Sequence, residues 1–481
     1  MKIAKLVTVI ILLLVFVQGP GMKWSTLNQK ALELHRAGKY KRAVIFAQEA
    51  YKVAENSFTP DHPNMATSLH TRALLYGIQA NYAKAELFIK HSLSIREQMF
   101  GPDHPDVAAS LNVLGELYNW QARYTKAQSL IERALSIRKK VLGPDHPDVS
   151  ESLNTLGLIF QSQGNYAKAE PLYKRALSIR EKTLGPDHQD VAASLNNLAE
   201  LYRYQGNYAS AESLYKRALS IWKTVPGFYH PNGTLNLNNL ALLYQAQGNY
   251  AKAKSLLKRS LSIWKTVFGP NHPLVALGLN NLGVLYQNQS NYAKAEQYYE
   301  RALSIYEETF TSDHPVVVLI LRNLAFLYQL QDDEAKAVLL YERCLLIKEK
   351  TLGSDHPDLT ELLSILAHLY RGQDDYTKAE QLHKRTLSIQ EKALAPDHPD
   401  LVRSLNDLAQ FYSYSLLNYT EAERLYKCAL SIREKALAPD HPDVVASLNN
   451  LALLYRVTNR SAQAKELEAR IAQINAMERS K

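Results

Sequence analysis

Nine histidines, His62, His104, His146, His188, His230, His272, His314, His356 and His398, stand 42 residues apart, and His441 follows after 43. The added residue lies between Tyr412 and Tyr419, which are seven apart where Tyr370 and Tyr376 are six apart, so the insertion falls in a turn. Self-similarity at this period constrains the fold more than length does. Each unit is one supersecondary piece that buries its apolar face on its neighbours, so the chain should form a solenoid whose units touch only the next in line. The 481 residues then extend one body by addition and need not divide into separate domains.

The unit opening at Pro147 shows how each copy folds. Val149, Leu153, Leu156, Gly157 and Phe160 recur at steps of three and four, the spacing of one helix face. This predicts a helix A, with Pro147 in its first turn and Asp148 beside the positive end of its dipole. The repeated His reads as closing the loop before helix A, and Asp103, Asp145 and Asp187, which recur with the helix start, read as capping residues. Gln163-Gly164-Asn165 ends the helix with a residue suited to the left-handed conformation. Helix B starts near Tyr166, buries Ala169, Leu172, Tyr173, Ala176, Leu177 and Leu184, and stops at Gly185-Pro186. Alternating small and large side chains let paired helices approach and fill the space between them. Glu86 and Lys90, Glu170 and Lys174, Glu212 and Lys216, and Glu380 and Lys384 stand four apart in the stabilising order, which predicts a solvated outer face and basic side chains lying mostly at the surface.

Units start near residues 24, 63, 105, 147, 189, 231, 273, 315, 357, 399 and 442, giving about eleven antiparallel helix pairs over 24–475 and a short tail, 476–481. The fold class is all-α. Two joints depart from the pattern: Val225 to Gly233, where Pro226 precedes the loop Gly and Gly233 enters helix A, is a candidate hinge, and Glu334 in place of Tyr marks a second soft joint. The last helix, about Ala462 to Ala476, is apolar on one side only and suits a terminal cap. Residues 1–22 carry a basic start, MKIAK, and an apolar run from Leu6 to Val17. That run is shorter than the roughly 17–25 residues of a spanning helix and has the shape of a signal peptide or amino-terminal anchor. The expected location is therefore periplasmic, extracellular or held at a membrane through this segment, with the cytoplasm as the alternative.

Several chemistries are disfavoured. The 56 basic and 47 acidic residues leave +9, a balance that does not by itself imply nucleic acid. Cys344 and Cys428 lie two units apart, too far for a disulfide in a nearest-neighbour solenoid. Packed helices stand about 8–10 Å apart, whereas zinc needs donors at about 2.0–2.3 Å, so the histidine ladder is not a metal site. No phosphate-binding loop, catalytic triad or cofactor motif is present. The chain reads as a non-enzyme without a cofactor.

The spacing Leu153-x-x-Leu156-Gly157-x-x-Phe160, then Ala169-x-x-x-Tyr173 and Ala176, resembles the tetratricopeptide repeat. The 42-residue form with LNNLA, YKRALSIREK and GPDHPDV is similar to the repeats of kinesin light chains and their bacterial relatives. The resemblance implies a right-handed α-solenoid, a superhelix with helix A lining its concave side, and a scaffold that binds proteins or peptides there. A cytoplasmic cargo or signalling adaptor is the alternative, although the heptad-rich region by which kinesin light chains join the motor has no counterpart before Trp24. In this family an Asn two residues before the motif Leu commonly holds a bound peptide backbone. Asn28, Asn112, Asn154, Asn196, Asn238, Asn280, Asn406 and Asn449 fill that place, with His70, Arg322 and Ser364 as departures. Such an amide can equally bond a neighbouring helix. Further groove candidates change along the array. Early units offer Glu116, Glu151, Glu200, Trp120, Arg203 and Tyr204; middle units offer Leu235, Leu242, Leu277, Val284, Leu319 and Phe326; late units offer Arg322, Arg371, Arg403, Arg456, Tyr414 and Glu361. The expected surface is acidic, then apolar, then basic, unless the apolar positions pack between units.

Overall fold

The computed structural model describes residues 20–224, 231–438 and 440–479. Over these residues the chain forms eleven helix pairs and no strand. The first four pairs are α1 (Pro20–Arg36) with α2 (Tyr40–Ser57), α3 (Pro63–Ile78) with α4 (Tyr82–Phe100), α5 (Pro105–Trp120) with α6 (Tyr124–Leu142), and α7 (Pro147–Ser162) with α8 (Tyr166–Leu184). Four more follow: α9 (Gln189–Tyr204) with α10 (Tyr208–Thr224), α11 (Pro231–Ala246) with α12 (Tyr250–Phe268), α13 (Pro273–Asn288) with α14 (Tyr292–Thr309), and α15 (Val316–Gln329) with α16 (Glu334–Leu352). The last three are α17 (Thr360–Gly372) with α18 (Tyr376–Ala393), α19 (Leu401–Tyr414) with α20 (Tyr419–Ala436), and α21 (Pro442–Val457) with α22 (Ser461–Arg479). A short 3-10 turn, Pro357–Leu359, precedes α17. Odd-numbered helices are the A helices.

The punctuation behaves as a set of caps. His62, His104, His146, His188, His272 and His441 each occupy the N-cap of an A helix, and each Nδ1 accepts from the backbone N–H two residues on, at 3.1–3.2 Å. That bond satisfies one of the orphan donors of the first turn. Asn81, Asn165, Asn249 and Asn291 cap the B helices in the same way. The turn between A and B places one residue in the left-handed region, Gly38, Gly164, Gly206 and Gly248 in four units but Ala80, Ala122, Ser290, Asp332 and Asp374 in others. A side chain there costs roughly 1–2 kcal/mol, which the flanking helices hold in place.

Asp145 is not a cap. Its carboxylate accepts from Arg175 at 2.5 Å and Lys182 at 2.6 Å, both on the following B helix, and Asp103 pairs in the same way with Lys140. The Glu–Lys pairs of the B helices form as the spacing predicts. Their carboxylates also accept from the tyrosine of the next A helix, Tyr118 to Glu86 at 2.8 Å and Tyr202 to Glu170 at 3.0 Å, so this face knits units together as well as meeting solvent.

One row of basic side chains is buried, an exception to their mostly surface placement. Arg138 of α6 reaches into the joint with α7, where it donates to the Asp148 carbonyl and to Ser152 Oγ, both at 2.9 Å, and pairs with Glu151 at 2.9 Å. Arg96 and Arg180 repeat the contact with Asp106 and Ser110 and with Asp190 and Ser194. Trp222 and Trp264 take the same place in the next two units.

The chain divides into two compact bodies, residues 1–323 and 324–481. Within the first, contacts are not confined to adjacent units. Tyr40 stacks on Phe310 with ring centroids 5.2 Å apart, Lys41 Nζ donates to the Glu308 carbonyl at 3.1 Å, and His314 Nε2 donates to the Ile78 carbonyl at 2.8 Å. The Gly38 turn lies against the His272 ring so closely that a Cβ there would sit 2.4 Å from Nε2. The first pair therefore touches the seventh, and the nearest-neighbour rule fails at this seam. Burial there pushes His272 down to about 4, so it enters the seam neutral. Within the second body, Phe411 is buried beside Tyr376 and His383, and Arg433 repeats the arginine joint with the Asp443 carbonyl and Ser447.

The candidate hinge falls largely on 225–230, and the apolar leader on 1–19; both lie outside the described residues. Among the described residues no helix is long and apolar enough to cross a membrane.

Candidate functional site

The A helices carry the predicted asparagine row, and its members do different things. Asn196 Oδ1 accepts from Asn239 Nδ2 at 3.1 Å and Asn236 Nδ2 at 3.4 Å; Asn238 Oδ1 accepts from Asn281 at 3.0 Å; Asn280 Oδ1 accepts from Asn323 at 2.8 Å. These amides bridge consecutive A helices and form a ladder from α9 to α15. Asn112 accepts from Ser152 Oγ at 3.3 Å, while its Nδ2 has no partner. Asn154 differs from the ladder: both its Nδ2 and Oδ1 are buried and neither meets a hydrogen-bond partner. Asn406 Oδ1 is likewise unmet, and Asn449 is exposed. His70, where the row departs from Asn, lies 3.4 Å from Arg96 and is driven down to about 3 by burial and then by that cation.

Asn154 opens on a recess of about 200 Å³ between α7 and α9. Thr155, Leu158 and Gln161 of α7 form one side, Asn197 and Glu200 of α9 the other, and the Tyr173 ring of α8 the floor. Tyr173 donates its hydroxyl to Gln161 Oε1 at 3.0 Å, so these two polar groups satisfy each other. Burial pushes the Glu200 carboxyl up, with Arg203 opposing. Arg203 stands 3.8 Å away, beyond hydrogen-bond length, with its guanidinium over the exposed Tyr204 ring at 4.4 Å. Two repeats earlier, burial and then the Glu151 charge raise Glu116 to about 7, against the pull of Arg138. Early units thus collect carboxylates in a partly desolvated setting. Asn197, Leu158 and Gln161 were not singled out by the row; an asparagine immediately after the row position, as at 197, 239 and 281 and, after Arg322, at 323, was the available signal.

The middle positions stay accessible. Leu235, Leu242, Leu277 and Val284 are half-buried, Leu319 is 50% exposed and Phe326 48%. They are not the fully buried side chains that fill the joints. In the second body Arg371, Arg403, Arg456 and Glu361 are exposed, as is Tyr414, and Arg322 of the first body is half-buried. Arg456 is engaged by Glu468 at 2.5 Å. Burial, then Arg371, lowers His368, with Asp407 opposing and Arg403 assisting. Among the described residues no group of three or more His, Cys, Asp or Glu side chains is placed to hold a metal ion.

The family model described as tetratricopeptide repeat matches residues 25–98, 106–182, 155–224, 233–308, 275–350, 316–392, 358–415 and 403–475. Comparison with curated protein sequences returns no match. Among solved structures, the nearly identical TPR-like repeats of a putative kinesin light chain from Podosopora anserina align with 27% identity over 43% of this chain and 97% of that one, at a TM-score of 0.36. BtubC (BKLC) from P. vanneervenii aligns with 26% identity over 49% of this chain and 92% of that one, at 0.39. A Rap protein complexed with Competence and Sporulation Factor aligns with 19% identity over 86% and 98%, at 0.43.

Proposed function

Because the chain belongs to the tetratricopeptide repeat family, a fold used widely as a protein-interaction scaffold, we propose that it is a non-enzymatic scaffold that binds extended polypeptide segments along its A helices. The observation that carries this reading is Asn154, whose amide keeps a donor and an acceptor unspent beside an open recess. An extended backbone offers the complementary acceptor and donor. The half-exposed apolar residues of the middle units supply anchoring surface whose burial against a partner is favourable. On this reading the Asn196, Asn238 and Asn280 amides act as fixed supports, since each is engaged with the next A helix.

The test is selection of a displayed peptide library on the intact protein, followed by affinity measurement of the enriched sequences on the native chain and on Asn154→Ala. The expected outcome is a loss of about five- to ten-fold in affinity, the scale of one hydrogen-bonding amide, without a change in melting temperature. Absence of any enriched peptide, or identical affinities, would overturn the reading. The scaffold is further proposed to act outside the cytoplasm or at a membrane, on the apolar run from Leu6 to Val17. Amino-terminal sequencing and fractionation decide this: an uncleaved, freely soluble cytoplasmic product would favour an intracellular adaptor instead.

A further inference from the structure

Resting on that reading, we infer that the recess between α7 and α9 selects a cationic side chain, lysine or arginine, from the bound segment. Three independent features of the recess converge on this chemistry. The first is its size. A volume of about 200 Å³ equals roughly six or seven waters at about 30 Å³ each, which suits one long side chain and not a helix. The second is its lining. Leu158, 43% exposed, offers apolar surface for an alkyl stem above the buried Tyr173 ring, the mode in which lysine and arginine bury their length while keeping the charge at a polar tip. The third is its polar end. Glu200, which lines the recess, keeps 35% of its side chain exposed, and Arg203, 3.8 Å away, lies over Tyr204 instead of closing to hydrogen-bond length on the carboxylate. A carboxylate at the end of an apolar slot, with its nearest cation held aside, is complementary to an incoming ammonium or guanidinium.

Neighbouring charge adds little: Glu151 on α7 is paired with Arg138 at 2.9 Å, and Glu116 on α5, raised to about 7, is only partly ionised at neutral pH. Asn154, on the same wall, is placed to hold the backbone from which the side chain descends. Equivalent recesses are not expected at the next two units, where Leu242 and Val284 replace Glu200. The array would therefore read charge at one place and apolar side chains at the following ones.

The experiment uses the full chain and four acetylated, amidated decapeptide libraries with random flanks and a fixed central lysine, arginine, norleucine or glutamate, measured by fluorescence polarisation. The lysine and arginine libraries should bind about ten-fold more tightly than norleucine, the scale of one charge-assisted hydrogen bond, and glutamate should bind most weakly. In Glu200→Gln the lysine and norleucine libraries should become equal. A second variant, Leu158→Arg, places a cation in the recess from a position whose exposure spares the fold, and should abolish the preference for lysine over norleucine. Equal binding of all four libraries by the native chain, or a lysine preference that survives Glu200→Gln, overturns this inference while leaving the scaffold reading intact. Binding of none of them overturns both, and tightest binding of the glutamate library assigns the surface to acidic segments and overturns the inference.

Discussion

Arginine joins three successive units of the first body and tryptophan joins the next two, at the same place in the repeat. Arg96, Arg138 and Arg180 meet a serine fourteen residues on, Ser110, Ser152 and Ser194, together with a first-turn carbonyl. At Trp264 the residue fourteen on is Gly278, whose Cβ position would fall 3.1 Å from the indole; at Trp222 it is the buried Asn236, and the glycine against the side chain is Gly233, eleven on, where a Cβ would fall 3.0 Å from the Trp222 Cβ and 3.2 Å from its ring. One design makes hydrogen bonds inside the joint, although Arg138 Nε stays unmet; the other fills the volume with a ring, although Trp264 Nε1 stays unmet. The difference teaches that the joint selects a matched pair, either a long donor with a hydroxyl or a large ring with no side chain opposite. A buried cation is costly unless every donor is met, and a ring is costly unless the opposite wall recedes.

This comparison can be broken at either end. Trp264→Ala should have the largest effect, a loss of about 3–5 kcal/mol from the cavity left by a fully buried indole, read as faster hydrogen exchange confined to α12 and α13. Spread of the loss over the whole body would show that the joints are not separate elements. Arg138→Met should cost less, about 2–3 kcal/mol, because the Asp148 carbonyl and the Ser152 hydroxyl lose a charged donor. Denaturant melts of the single variant and of Arg138→Met with Ser152→Ala measure it, and the double variant should recover less than about 1 kcal/mol, because Ser152 Oγ also donates to Asn112 Oδ1. The smallest effect should come from exchanging the designs. Trp264→Arg with Gly278→Ser should lie within about 1–2 kcal/mol of the native protein, whereas each single change should cost more. Additive losses in that cycle would mean that the pairing at fourteen residues is incidental.

Helix positions were legible because each boundary is marked by a residue with one local role. Pro147 and Tyr166 begin helices where the proline, glycine and asparagine spacing puts them. The arginine joints were not legible, since an arginine in SIREK has the composition of a surface helix and its burial depends on a serine in the following unit. The asparagine row was legible as a row and not as a set of roles. Asn154 and Asn196 both precede a unit with Asn at the next-but-one place, at 197 and 239, yet only Asn196 bonds it. That choice is made by side-chain torsions, which leave no trace in spacing. Charge at Glu116 and Glu200 was visible, but the desolvation that raises both carboxyls required the walls around them.

The contact of Tyr40, Lys41 and Gly38 with Phe310, Glu308 and His272 sets a counting rule. Repeat arrays usually tolerate gain or loss of a copy, because every copy asks only for a neighbour on each side. Here six steps separate the partners, so removing one 42-residue copy between them would bring a different loop opposite Gly38, and adding one would carry His272 past it. Duplication and deletion, the ordinary ways in which such arrays change length, are thereby penalised between residues 40 and 308 and left free beyond them. The number of copies in that interval becomes a heritable dimension of the molecule, set by a glycine and a histidine that never share a repeat.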